Sequence, residues 1–255
     1  MRAVYVIMFF IIGTVFGSFY NVLALRIPKK ESIIKPNSHC EKCGHTLAWF
    51  ELIPILSFIF LKGKCYNCKT KLSIMYPLSE LFCGILFAIS FYSFGFTYNL
   101  IIALILSSVM IVVLVSDLTY MIIPDRFIVI PSILILLTKL IFEGSKSFLF
   151  AILSGLLSFI VMFAMMKFGE FVFKKESLGG ADVKLMFLVG ITLEPFLCLL
   201  VIIIGSFIAL PVSLFLLVKN KENIIPFGPF LVLGLLIIFF TKYNSMEIIN
   251  YILGR

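Results

Sequence analysis

Tyr98-Asn99-Leu100-Ile101-Ile102-Ala103-Leu104-Ile105-Leu106-Ser107-Ser108-Val109-Met110-Ile111-Val112-Val113-Leu114-Val115-Ser116 runs for 19 residues without a charge and then meets Asp117. As a helix it is about 29 Å long at 1.5 Å per residue, close to the ~30 Å hydrocarbon thickness of a bilayer. The rest of the chain has the same character. Of its 255 residues 62% are apolar and 13% charged, and the mean hydropathy is +1.16. Soluble domains are nearer half apolar and a quarter charged. This excludes a disordered tail, a secreted disulfide scaffold and an ordinary cytosolic enzyme. The apolar runs are continuous rather than alternating, which excludes a transmembrane β-barrel. The fold class is an all-α polytopic membrane protein.

Eight apolar spans are expected, over roughly 3–25, 76–94, 98–116, 127–142, 147–168, 185–193, 196–218 and 228–243. The sixth is short for a crossing, so it starts earlier, near Gly180, or is half-inserted beside other helices. The first is too long for a signal-peptide core and has no small-residue cleavage site, so it reads as a retained helix. Its Gly13 and Gly17 form a GxxxG pair, which permits close helix approach.

The basic residues set the orientation, because cytoplasmic loops of membrane proteins are enriched in Lys and Arg. The segment 26–75 holds nine, from Arg26 to Lys71. With eight crossings, the loops near 117–126, 167–184 and 219–226 share its side. That face then carries sixteen of the 21 Lys and Arg, against five (Arg2, Lys139, Lys146, Lys242 and Arg255) on the other. Both termini are therefore expected outside.

The first cytoplasmic loop contains Cys40-Glu41-Lys42-Cys43 and Cys65-Tyr66-Asn67-Cys68, two CxxC pairs separated by 21 residues. This is the spacing of a four-cysteine structural zinc site, in which each turn presents two thiolates to one tetrahedral ion. A reducing compartment argues against disulfides. A redox role for CxxC is the main competitor, but two copies without a βαβ pattern favour zinc. The loop is too polar to build its own core, and metal would supply the missing folding free energy. His39 and His45 flank the first pair and read as solvated. Cys83 and Cys198, within apolar spans, read as small hydrophobes. The run from Trp49 to Leu61 is too interrupted to cross and is expected on the membrane surface or against the spans.

Two acids stand at the membrane face. Asp117 ends the third span, and Asp182 follows Leu178-Gly179-Gly180-Ala181 where a loop becomes the sixth. Either alone would serve as a helix cap or interface partner. Both fall on the cytoplasmic side at similar depth, although sidedness was set by Lys and Arg only. Two carboxylates that can meet share a proton, and such a pair can run aspartic-protease chemistry. Asp125, next to Arg126 and just before the fourth span, suits a helix N-cap. Lys184 reads as a cytoplasmic flank. A transporter with ion-coupling aspartates is a second reading; the matched cytoplasmic depth and the lack of polar residues in the outer halves of the spans speak against it. A zinc-loop scaffold for a pilus or secretion assembly is a third.

Taken together these residues resemble the type IV prepilin peptidase family, over nearly the whole chain and in order. Gly17-Ser18-Phe19-Tyr20-Asn21-Val22 with Arg26-Ile27-Pro28 resembles its N-terminal signature, and Ser38-His39-Cys40 through Ser73 its cysteine region. Tyr76-Pro77-Leu78-Ser79-Glu80 resembles the start of its second span. Ser116-Asp117 through Ile123-Pro124-Asp125 and Gly179 through Leu185 resemble its two aspartate motifs. The family places Gly directly before the second aspartate, as Gly-x-Gly-Asp; here Ala181 stands there, which disfavours left-handed backbone at that position.

The resemblance implies a bacterial inner-membrane enzyme whose cysteine loop and active site face the cytoplasm. Its partners would be prepilin or pseudopilin precursors with short basic leaders, and membrane lipids; no nucleic-acid partner is expected. Asp117 and Asp182 would be catalytic, and Cys40, Cys43, Cys65 and Cys68 would hold zinc. It also implies N-methylation of the new N-terminus with S-adenosylmethionine, although GxGxxG is absent from the chain. Residues 1–75 would form the first helix plus the cysteine loop, the region for methyl transfer, and 76–255 the peptidase core. A basic leader would not be attracted to a basic loop. Glu51 and Glu80 offset this, and anionic headgroups suit the lysines.

Overall fold

The computed structural model describes residues 1–174, 179–218, 226–242 and 245–247. Each expected apolar run is a helix: α1 (Arg2–Arg26), α3 (Met75–Phe94), α4 (Tyr98–Tyr120), α5 (Arg126–Glu143), α6 (Ser145–Phe173), α7 (Gly180–Thr192), α8 (Pro195–Val218) and α9 (Gly228–Thr241). A one-turn 3-10 helix (Trp49–Glu51) and the short α2 (Leu56–Phe60) interrupt the cysteine loop. Among the described residues, β structure is limited to two isolated bridges.

Among the described residues five helices, α1, α3, α4, α6 and α8, are long and apolar enough to cross a membrane. α7 and α9 have 13 and 14 residues, or about 20 Å each, which is less than the hydrocarbon thickness. The sixth span does start at Gly180, so of the two expectations for it the earlier start holds.

α4, α7 and α9 form the centre, contributing Leu106, Ile111, Leu185, Leu188, Leu231 and Leu235 to the core. α1, α6 and α8 stand outside and turn apolar side chains outward, such as Ile7, Ile11, Leu153, Ile160 and Phe207. In water such a surface would aggregate; in lipid it is the required solvent-facing side. Hydroxyl groups inside the bundle bond back to the carbonyl four residues earlier, as in Ser107 to Ala103, Ser132 to Ile128 and Thr192 to Leu188. That satisfies them where no water is present.

Close approach rests on glycine. A methyl group at Gly13 would lie 2.8 Å from the Gly84 Cα of α3, and one at Gly17 2.9 Å from the Glu80 Cα. The GxxxG pair is thus the α1–α3 contact. Gly190 of α7 faces Gly155 of α6 in the same way, with 2.7 Å from its would-be Cβ to the Gly155 Cα.

Contacts between helix ends define two ends of the bundle. At one, Asn21 of α1 meets Tyr76 and Ser79 of α3 below the cysteine loop, and Thr119 of α4 meets Met75. At the other, Arg2 donates to the Tyr92 carbonyl, Lys139 to the Thr192 carbonyl and Lys242 to the Ser93 carbonyl. Leu178 of the second aspartate motif, and Lys175, Lys219, Lys221 and Arg255 of the charge count, lie outside the described residues.

Candidate active site and cysteine cluster

The cysteine loop folds as two matching knuckles. The Cys40 N–H donates to the His45 carbonyl and the Gly44 N–H back to the Cys40 carbonyl; Cys65 bonds to Thr70, and Lys69 to Cys65, in the same pattern. Gly44 and Lys69, each just after the second cysteine of its pair, are left-handed at φ +69° and +57°. The result brings the sulphurs of Cys40, Cys43, Cys65 and Cys68 within 4.8 Å of one another, with Cys40 and Cys68 3.8 Å apart. Four sulphurs arranged tetrahedrally about 2.3 Å from one ion lie about 3.8 Å apart, so this cluster fits a metal ion. The Cys43 and Lys42 N–H groups pointing at Cys40 hold its thiol below the usual range. The Thr70 hydroxyl and N–H hold the Cys68 thiol below the usual range, whereas Cys43 lies above it: the His45 N–H lowers it, but desolvation and the neighbouring sulphurs outweigh that.

The two histidines differ. His39 bonds the Asn37 carbonyl through Nδ1. His45 corrects the expectation of a solvated residue: its Nε2 lies 2.9 Å from Glu51 Oε2, and the Glu51 side chain is only 2% exposed. The Ala48 N–H bonds the same oxygen, and the Tyr66 N–H also acts on the buried carboxylate. Cys83 and Cys198 are buried, as expected of small hydrophobes.

Between this loop and the ends of α1 and α3 lies a cavity of about 730 Å³. Its wall carries equal numbers of acids and bases, Glu31, Glu41, Glu51 and Glu80 against Arg26, Lys29, Lys42 and Lys71. Glu80 is itself buried and accepts the Ile55 N–H at 2.8 Å. Ile55 has φ +62°, costly for a β-branched residue, so the Glu80 carboxylate pins a strained corner of the loop to α3. The adjoining α2 does not cross; Trp49, Ile59 and Phe60 are exposed on it or beside it.

Asp117 and Asp182 are brought together at the same end of the bundle. Asp117 lies in the last turn of α4, whose helix stops at the left-handed Met121; the Met121 N–H returns to the Asp117 carbonyl at 2.9 Å. Asp182 lies in the first turn of α7, with its N–H on the Gly179 carbonyl at 3.0 Å. Both side chains are buried. A methyl group at Gly228, the first residue of α9, would sit 3.1 Å from Asp117 Oδ2 and 3.3 Å from Asp182 Oδ1. The two oxygens are therefore no farther apart than the sum of those distances. One oxygen of each acid thus faces the same small space in front of Gly228. A side chain at Gly179 would come within 3.1 Å of Asp182 Oδ2, so that glycine clears space for the acid. Ala181 is helical and right-handed, as its identity suggests.

Asp125 departs from expectation. It stands at the N-cap position of α5 but makes no side-chain cap bond. Its carboxylate instead pairs with Lys184 at 2.6 Å, joining the α4–α5 turn to the first turn of α7. Lys184 is thus engaged beside the dyad rather than a free flank. Gly228 was not singled out from sequence; the signal available was the Phe227-Gly228-Pro229 turn opening the last apolar run.

The chain matches the model of the bacterial peptidase A24 N-terminal domain over residues 11–94 and that of the type IV leader peptidase family over residues 104–214. It is 38% identical over 186 residues to a prepilin leader peptidase/N-methyltransferase of Bacillus subtilis, covering 72% of each chain. One from Myxococcus xanthus is 37% identical over 187 residues, 73% of this chain and 55% of the relative. One from Vibrio cholerae is 30% identical over 256 residues, covering 94% of this chain and 98% of the relative. No solved structure matches.

Proposed function

Because the chain belongs to the type IV leader peptidase family, we propose that Asp117 and Asp182 are the catalytic pair of a membrane aspartic endopeptidase. It cleaves prepilin-like precursors and N-methylates the amine that cleavage exposes. The observation that carries this reading is the convergence of both carboxylates on the one point in front of Gly228. Matched depth alone does not bring residues 117 and 182 to one point, and burying two acids together is costly, which marks the pair as a functional candidate.

The chemistry follows from the shared proton. Held this close, the two acids do not both ionise, and they titrate as a unit. The ionised carboxylate takes a proton from a water that attacks the scissile carbonyl carbon. The protonated one donates to the carbonyl oxygen. Collapse of the tetrahedral intermediate breaks the C–N bond as the carboxyl that took the water's proton passes it to the leaving nitrogen. Leu118, Met121 and Ile122 are exposed beside Asp117, and they suit the apolar helix that begins just after the cleaved bond of a membrane-anchored substrate.

The excess of Lys and Arg at this end of the bundle supports placing it in the cytoplasm and the protein in the bacterial inner membrane. The four cysteines hold a structural zinc ion, since four thiolates leave no open position. Residues 1–75 contribute to methyl transfer and 76–255 form the peptidase core. The methyl donor is S-adenosylmethionine, which supplies an electrophilic methyl carbon on a sulfonium.

Incubating the purified chain with a precursor and reading product masses tests the proposal. Wild type should release the leader, and adding S-adenosylmethionine should raise the product by one methyl group. Full cleavage by either Asp117→Asn or Asp182→Asn would end it.

A further inference from the structure

We infer that the exposed apolar face of the cysteine loop, from Trp49 to Phe60, beds into the bilayer surface at this end of the bundle, with Lys62, Lys64 and Lys69 on the phosphates of anionic phospholipids. The loop is then a lipid-binding element in its own right. Nothing in this depends on the aspartate pair or on either proposed reaction.

The loop reaches down to the bilayer. Glu80 stands five residues after Met75, where α3 begins, which is about 7.5 Å along the axis at 1.5 Å per residue. It accepts the Ile55 N–H, so the corner that opens α2 is drawn to the level of the first turns of α3 rather than standing above its end. Segments that lie on a membrane bury their apolar side roughly 5–10 Å into the boundary between headgroups and acyl chains. α2 starts at that corner, and the protein does not cover it. Trp49 and Phe60 are each 78% exposed, and Leu56 and Ile59 are exposed between them.

The face is continuous across the loop. The Phe50 ring meets Trp49 edge-on at 6.0 Å and Tyr66 of the second knuckle at 5.6 Å. Lys69 Nζ lies over the Tyr66 ring at 5.1 Å. Indole and phenol rings beside lysine suit the membrane interface, with apolar bodies in the acyl boundary and polar tips among the headgroups. At the same end α3 exposes Ile74, Leu78 and Leu81, so lipid that wets the bundle meets the loop.

The charge selects the lipid. Lys62, Lys64 and Lys69 are exposed. Between Trp49 and Lys69 the one acid is Glu51, and its side chain turns inward onto His45 and the Ala48 N–H. Glu31 and Glu41 line the cavity and act on Lys29 there. The cavity wall is thus balanced, while the apolar face is bordered by lysines with no acid among them. Anionic headgroups answer that charge. The apolar helix of a precursor is the competing occupant of the face, and it gives the lysines nothing to bind.

Trp49 is the one tryptophan of the chain, so its emission reports on this face alone. The test reconstitutes the full-length protein into vesicles of phosphatidylcholine and phosphatidylglycerol at one fixed composition. An equal share of brominated acyl chains is carried by phosphatidylcholine in one set and by phosphatidylglycerol in the other. Bromine should quench Trp49 in both sets, and at least about twofold more strongly when phosphatidylglycerol carries it. The double variant Lys62→Gln with Lys64→Gln should make the two sets equal. Ile59→Ser with Phe60→Ser should shift the emission to the red and weaken quenching in both. Zinc content and helical content of each preparation separate a lost lipid contact from a lost fold, and if a variant does not fold, the two sets with wild type decide alone.

Water-like emission of wild-type Trp49 without quenching in either set would overturn the inference. So would equal quenching in the two sets with wild type. Relief of quenching on adding precursor, with no difference between the sets, would give the face to the substrate helix instead. Cleavage is read separately from product masses, so failure here leaves the aspartate pair standing.

Discussion

Gly228 is the residue on which the two acids converge. A methyl group there would meet Ile123 Cδ1 at 2.6 Å and one oxygen of each carboxylate just beyond 3 Å. It would occupy the space where a shared water must sit. Gly228→Ala should therefore fold normally, with unchanged helical content, while precursor cleavage falls about ten- to a hundredfold, as for other small misplacements near the chemistry. Wild-type cleavage in this variant would mean that the water lies elsewhere. Lys184 offers a contrast. Its ion pair with Asp125 is exposed on both sides, and exposed pairs contribute at most about 1 kcal/mol. Lys184→Ala should leave thermal unfolding almost unchanged. At this scale the sequence disclosed the residues whose chemistry is intrinsic: acids beside apolar spans and cysteines in pairs. Gly228 was hidden because it has no chemistry of its own; its importance is a distance to residues 46 and 111 positions away. The engagement of Asp125 and His45 was hidden likewise, because their partners, Lys184 and the buried Glu51, become neighbours only in the fold.

Among the helices, α6 and α7 meet where Gly190 faces Gly155, and the would-be Cβ of Gly190 lies 2.6 Å from the Ser154 carbonyl oxygen. Backbone cannot give way as a flexible side chain can. Gly190→Val should lower stability by about 1–3 kcal/mol and reduce cleavage by displacing α7, and with it Asp182. A melting temperature equal to wild type would contradict the packing described. The helices were legible because their apolar runs are long and unbroken, and α3, α4 and α8 begin within a residue of where hydropathy places them. The first turn of α7 was only half legible. Asp182 and Lys184 interrupt the apolar run there, so hydropathy marks the helix from residue 185 although it starts at Gly180. The polar residues that blur the pattern are the same ones that place an acid at the dyad.

Over the whole molecule, a bundle stabilised by lipid-facing packing carries at one end a small loop that depends on four sulphurs. The two should respond separately to metal removal. The purified chain should contain about one zinc ion per molecule. Chelation, or Cys40→Ser, should make the loop sensitive to protease while the helical content of the bundle persists. Loss of the helical bundle on chelation would contradict this division. The central claim is that the fold joins Asp117 of α4 and Asp182 of α7 into one catalytic unit, which a cycle of Asp117→Asn, Asp182→Asn and the double variant tests directly through precursor cleavage rates. Residues acting as a unit lose nearly everything at the first removal, so each single variant should be as inactive as the double. Substantial cleavage in one single variant, or a double variant slower by the product of the two single effects, would show that the acids work apart.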